Sequence, residues 1–98
     1  MAIGKASGSN MPHVYILQSK KTGRYYIGST NDLVRRLREH NSGQTSSLLY
    51  QRPLVIVFQK EYANILSARI MERKLKKYKN RKIIDEIVRE QEIKSDSK

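Results

Sequence analysis

The chain has 98 residues, 38% hydrophobic and 30% charged, which is enough for one domain with a modest core and too short for two. Its 20 Lys+Arg stand against 9 Asp+Glu, a formal net charge of +11, and so large a surplus on so small a body points to polyanions, with nucleic acid first among them. Cysteine is absent, which excludes disulfides, thiolate metal sites and thiol nucleophiles together; the longest apolar run, Pro53 to Phe58, is far too short to cross a bilayer.

The opening MAIGKASGSN is small, polar and Gly/Ser-rich, with no charged start followed by an apolar stretch, so no secretory signal is expected and the cytoplasm is the default location. Residues 1–12 read as a flexible tail, either native or a cloning remnant ahead of a start at Met11. The folded domain is expected over 13–92, and 93–98 should fray.

From His13 to Gln18 the residues favour a strand, SKKTG is a polar link, and RYYIG favours a strand again, so the segment reads as a hairpin with its loop at Ser19 to Thr22. If Gln18 faces Gly23, Leu17 lies opposite Arg24, Ile16 opposite Tyr25 and Tyr15 opposite Tyr26, and both Tyr15 and Tyr26 project from one face. A slip of one residue would destroy that arrangement. Gly28 lies two positions beyond Tyr26 on the same face, leaving room for a ligand or for a close approach of backbone.

Thr30 or Asn31 can cap the helix that follows, with Asp32 in its first turn and an end near Asn41-Ser42-Gly43. Leu33, Val34 and Leu37 form its expected buried stripe, and Arg36 and His40, four apart, stand along one edge of it. NSGQTSSLLYQR reads as loop, Pro53 opens a third strand to about Phe58, and a second helix starts near Asn64. A last helix runs from about Asn80 to Glu92, with Ile83, Ile84, Ile87 and Val88 at helical spacing. No internal repeat is visible, and the order of elements makes the fold α+β.

On the second helix Ile65, Ala68, Met71, Leu75 and Tyr78 make a stripe about 140° wide, and Glu72 projects inside that arc. Between Arg69 and Lys82 there are eight Lys/Arg residues and this one acid. An unpaired buried carboxylate costs several kcal/mol, so Glu72 should hold a metal ion, pair with an arginine or carry a proton. Other side chains have plainer readings. Tyr15 and Tyr26 can simply cover a sheet face, His40 can answer the helix C-terminal dipole, and Arg36 can form a salt bridge, Glu72 included. The run RKLKKYKNRK suits backbone phosphates better than base edges, because lysines are point charges on flexible stems.

HVYIL, then YIGST, NDLVRRLREHN and a helix containing ARIMERKLKK together resemble the GIY-YIG nuclease family, over about His13 to Arg89. Small stand-alone bacterial members, whose catalytic module is similar to that of nucleotide-excision-repair nucleases, are the nearest likeness. The second triplet stands as Tyr26-Ile27-Gly28; the first keeps only its tyrosine, in His13-Val14-Tyr15. The resemblance implies a three-stranded antiparallel sheet flanked by helices and a divalent ion, Mg²⁺ or Mn²⁺, bound by Glu72. It also implies catalytic roles for Tyr15, Tyr26, Arg36, His40 and Glu72. Tyr15 would take the proton of the attacking water with Tyr26 hydrogen-bonded nearby, and Arg36 would clamp the phosphate. Arg35, Arg36, Lys74, Lys76 and Lys77 are the expected nucleic-acid contacts. Ser29 departs from the family, where a lysine or histidine often follows the second glycine, and Asn80 lies nearer the glutamate than the family asparagine. The implied activity is metal-dependent hydrolysis of phosphodiester bonds, DNA first. The alternatives are a nucleic-acid-binding module with little or no catalysis on the same scaffold, and a protein-interaction domain; protein partners are not indicated.

Overall fold

A computed structural model describes residues 11–42 and 51–93. The expected N-terminal tail up to residue 10, most of the expected loop (43–50) and the expected C-terminal tail from residue 94 lie outside the described residues. Three strands, β1 (His13–Ser19), β2 (Tyr25–Thr30) and β3 (Leu54–Glu61), and three helices, α1 (Leu33–Asn41), α2 (Ile65–Tyr78) and α3 (Arg81–Glu90), follow the expected α+β order. The sheet is antiparallel in the order β2-β1-β3.

Central β1 explains its own composition. Val14 and Ile16 point to one face, where they pack with Phe58, Ala68, Met71, Leu75, Ile84 and Ile87 under α2 and α3. Tyr15 and Leu17 point to the other, where Leu54, Tyr26, Leu33 and Leu37 cover them beneath α1. A strand buried on both sides reads as a continuous apolar run, which is what VYIL is.

The hairpin pairs two residues away from the expected register: Gln18 faces Tyr25, Leu17 faces Tyr26 and Tyr15 faces Gly28. The turn causes this. Ser19 stays in the ladder, its N–H donating to the Arg24 carbonyl (2.9 Å), while its hydroxyl accepts from the backbone N–H groups of Lys21 (3.1 Å) and Thr22 (3.0 Å). Gly23 then closes the loop at φ +82°, a conformation that suits glycine. Because the side-chain period is two, the shift leaves Tyr15 and Tyr26 on the same face.

The cap of helix α1 falls one residue after Asn31 and two after Thr30, the two expected positions. Asp32 is the N-cap itself, accepting from the Arg35 backbone N–H at 3.1 Å, and Thr30 Oγ1 accepts from the Asp32 N–H. Its buried stripe differs too. Val34 is 62% exposed, and the inward positions are Leu33, Leu37 and His40, an i, i+4, i+7 line whose most buried member is the histidine. Asn41 ties the helix end to the sheet, its side chain accepting from the Leu54 N–H (2.8 Å) and donating to the Leu54 carbonyl (2.9 Å). β3 runs three residues past the expected Phe58. Asn64 and Asn80 cap α2 and α3, accepting from the backbone N–H groups of Ser67 and Lys82.

Candidate functional site

Tyr15 lies across the ladder from Gly28, and its ring occupies the space a side chain there would need: a Cβ on Gly28 would stand 2.6 Å from Tyr15 Cζ. The bare backbone at Gly28 therefore serves the close approach of a tyrosine ring. That placement carries the phenol to α1, where Tyr15 Oη lies 3.2 Å from His40 Nε2 with the rings tilted at 60°. Tyr15 is paired with His40 rather than with Tyr26, although Tyr26 lies on the same face and packs in the same cluster.

Burial pushes the Tyr15 phenol above its ordinary value of 10.0, and the Glu72 carboxylate adds to the rise; the Arg36 guanidinium, through hydrogen bonding and charge, and Lys76 pull the other way without prevailing. His40 is displaced downward from 6.5, first by burial and then by the charge of Arg36, with Glu39 opposing. It is 4% exposed, and its Nδ1 is buried with no hydrogen-bond partner among the described residues. A buried nitrogen left without a partner costs about 1–3 kcal/mol.

Arg36 donates to Glu39 Oε1 at 3.0 Å, so its salt bridge is with its own helix and not with Glu72. Tyr15 and Glu39 both hold its guanidinium firmly charged. Arg35 shares Glu39 and Asp32 at longer range, 3.8 and 3.9 Å, on the solvent side.

Glu72 comes from the opposite face of the sheet. Helix α2 packs on the Val14 and Ile16 side, yet β2 is an edge strand, and the carboxylate meets the cleft at that edge. Ser29 Oγ donates to Glu72 Oε1 at 2.5 Å and the Lys76 ammonium pairs with Oε2 at 2.8 Å. Of the expected satisfactions, the arginine partner is replaced by a lysine one helical turn on and a serine from β2. In the sequence Ser29 stands only as a departure from the family's cation, and Lys76 only as an expected phosphate contact. The i, i+4 spacing of Glu72 and Lys76 was the available signal.

Tyr15, Tyr26, Arg36, His40, Glu72 and Lys76 thus line one open cleft of about 480 Å³. Arg35, Lys74 and Lys77 do not line it. Tyr25 does, and it was not singled out in sequence: its hydroxyl donates to Asp85 at 2.6 Å, Arg81 stacks over its ring at 4.6 Å, and burial first, then Asp85, raises its pKa. Among the described residues no group of three or more His, Asp or Glu gathers in metal-binding geometry. The donor set at the cleft is one carboxylate, Glu72, with the Ser29 hydroxyl beside it, both hard oxygens. Magnesium-type ions are commonly held by one or two carboxylates and completed by water and substrate phosphate, so the chemistry of these donors fits such an ion, with Lys76 occupying Oε2 in its absence.

No helix among the described residues is long and apolar enough to cross a membrane. No solved structure matches the chain. A protein of Streptococcus pneumoniae serotype 4 (strain ATCC BAA-334 / TIGR4) described as a UPF0213 protein is 35% identical over 68 residues, 68% of this chain and 68% of its own. The family model for the GIY-YIG catalytic domain matches residues 11–84, which include both motif tyrosines, the α1 residues at the cleft and Glu72. With the sheet, the flanking helices and that match in agreement, the chain belongs to the GIY-YIG family of nucleases.

Proposed function

We propose that the protein is a divalent-metal-dependent endonuclease that hydrolyses phosphodiester bonds of DNA, with Tyr15, Tyr26, Arg36, His40 and Glu72 as its catalytic side chains. The observation that carries this reading is the meeting of four of them, from three elements and both faces of the sheet, with Tyr26 in one cleft. Arg36 offers a charged planar fork for the non-bridging phosphate oxygens, a task for which a lysine would be a poorer substitute. Tyr15 is protonated at rest, since burial outweighs its cationic neighbours, so on its own it is a weak base. His40 remedies that. We assign the phenol as donor to a neutral Nε2, so that when an attacking water gives a proton to Tyr15 Oη, the phenol proton passes to His40. Tyr26 forms the wall beside this pair and restricts the approach of water.

Glu72 would hold Mg²⁺ or Mn²⁺, and the bound ion would supply positive charge to the phosphate and the departing oxygen. Lys76 must then leave Oε2, and the freed ammonium is placed to meet phosphate. Nicking of supercoiled plasmid with Mg²⁺ or Mn²⁺ tests the reading; no cleavage with either ion, or unchanged cleavage by Glu72→Ala and Arg36→Ala, would overturn it. A second reading, nucleic-acid binding without cleavage, is favoured by one observation: Glu72 is already satisfied by Lys76 and Ser29. It expects salt-sensitive binding and no product with any ion. A repair setting rests on the sequence likeness to excision-repair modules alone.

A further inference from the structure

In the sequence the basic run stands as one block of expected phosphate contacts, but the helix divides it. Arg69, Arg73 and Lys76 are spaced i, i+4, i+7 and fall on one side of α2. With Glu72 they line a second groove of about 230 Å³, which shares Glu72 and Lys76 with the cleft and so continues it along the helix. All three are exposed, and among the described residues neither Arg69 nor Arg73 has an ion-pair partner. Lys74 and Lys77 line neither groove nor cleft.

We infer that Arg69, Arg73 and Lys76 form the track along which one nucleic-acid strand runs to the cleft, each meeting a backbone phosphate; this rests on the nuclease reading and adds the path of the substrate. The charge is complementary. From Arg69 to Lys76 the helix rises about 10 Å, against about 7 Å of axial rise between the first and third phosphates of one B-form strand, a difference that three long side chains can span. The two positions farther from the cleft are arginines, whose forks fix a phosphate in orientation as well as in place, as a guide requires. Contacts of this kind position the strand without reading its sequence, because backbone phosphates carry no base information.

The test is binding without chemistry. Anisotropy of a labelled duplex is followed in EDTA over a range of salt concentrations for the native protein, Arg69→Gln/Arg73→Gln and Lys74→Gln/Lys77→Gln. Both variants lose two positive charges, so a general electrostatic field affects them alike, and melting curves confirm that both fold. The expected result is a salt slope reduced by about two for the arginine pair, at about 0.9 per phosphate contact, and by less than half as much for the lysine pair. Equal reductions, or a larger one for the lysines, would overturn the track while leaving the nuclease reading intact. No binding by the native protein would instead remove the nuclease reading beneath it.

Discussion

Gly28 allows no side chain because the Tyr15 ring fills the space above it, with Cζ 2.6 Å from where a Cβ would be. Gly28→Ala should therefore push the phenol away from His40, with a cost of about 1–2 kcal/mol from overpacking and a lower Tm, and it should remove cleavage even in protein that remains folded. Thermal melts beside a nicking assay would separate the two effects. Glu72→Ala and Arg36→Ala should each reduce cleavage by roughly 10²–10³-fold, the range for removing a transition-state charge contact, while Arg35→Ala, on the solvent side, should keep most of it. The pH profile belongs to His40. Its pKa lies below 6.5 because of burial and the Arg36 charge, with Tyr15 against Nε2 and Glu39 opposing, so it is neutral and able to accept a proton at pH 7. Cleavage should hold steady from pH 7.5 to about 6.5 and fall at lower pH as the ring charges. Stability should follow the same direction: the unfolded chain takes up protons first, so the contribution of neutral His40, present above about 6.5, is lost as pH falls through the folded-state value. A His40→Gln protein that keeps the native acid limb would contradict the assignment. The residue types of this site were legible in sequence, and i, i+4 spacing signals the Lys76 partner of Glu72; the Ser29 partner was not legible, because that contact joins an edge strand to a helix 43 positions away in the chain.

At the scale of elements, the joint between α1 and β3 decides whether Arg36 and His40 face the cleft. Asn41 makes both hydrogen bonds of that joint with the Leu54 backbone, and Leu54 is buried. Asn41→Ala should cost about 1–3 kcal/mol, since it strands a buried N–H, and denaturant titration would measure it; a loss below experimental error would mean that α1 is held by Leu33 and Leu37 alone. All six elements were legible, the strands from β-rich runs and the helices from apolar spacing, with capping asparagines marking the starts of α2 and α3. The hairpin register and the α1 stripe were not. The register depends on the Ser19 side chain bonding inside the turn, and the stripe on a polar histidine occupying what apolar periodicity assigned to Val34. The first is a local polar contact outweighing a propensity pattern; the second is a contact between residues 25 positions apart, His40 with Tyr15, which no local pattern carries.

For the whole molecule, the surplus of +11 predicts that duplex binding weakens steeply with salt, by about a thousandfold between 50 and 200 mM if half a dozen phosphates are engaged. Filter binding at those two concentrations would check this, and salt-insensitive binding would contradict it. Net charge announced a polyanionic partner from composition alone, but its division between the cleft, the α2 groove and the solvent side needed helix geometry.

Strand β1 serves two interiors at once, presenting its phenol toward α1 and its aliphatic neighbours toward α2 and α3. An extra codon just ahead of Tyr15 would exchange them, sending the hydroxyl among the isoleucines and an alkyl group toward the histidine, so chemistry and folding would fail together. A two-codon insertion would restore the sidedness. Length at this point can therefore change only in steps of two residues if both interiors are to keep their side chains.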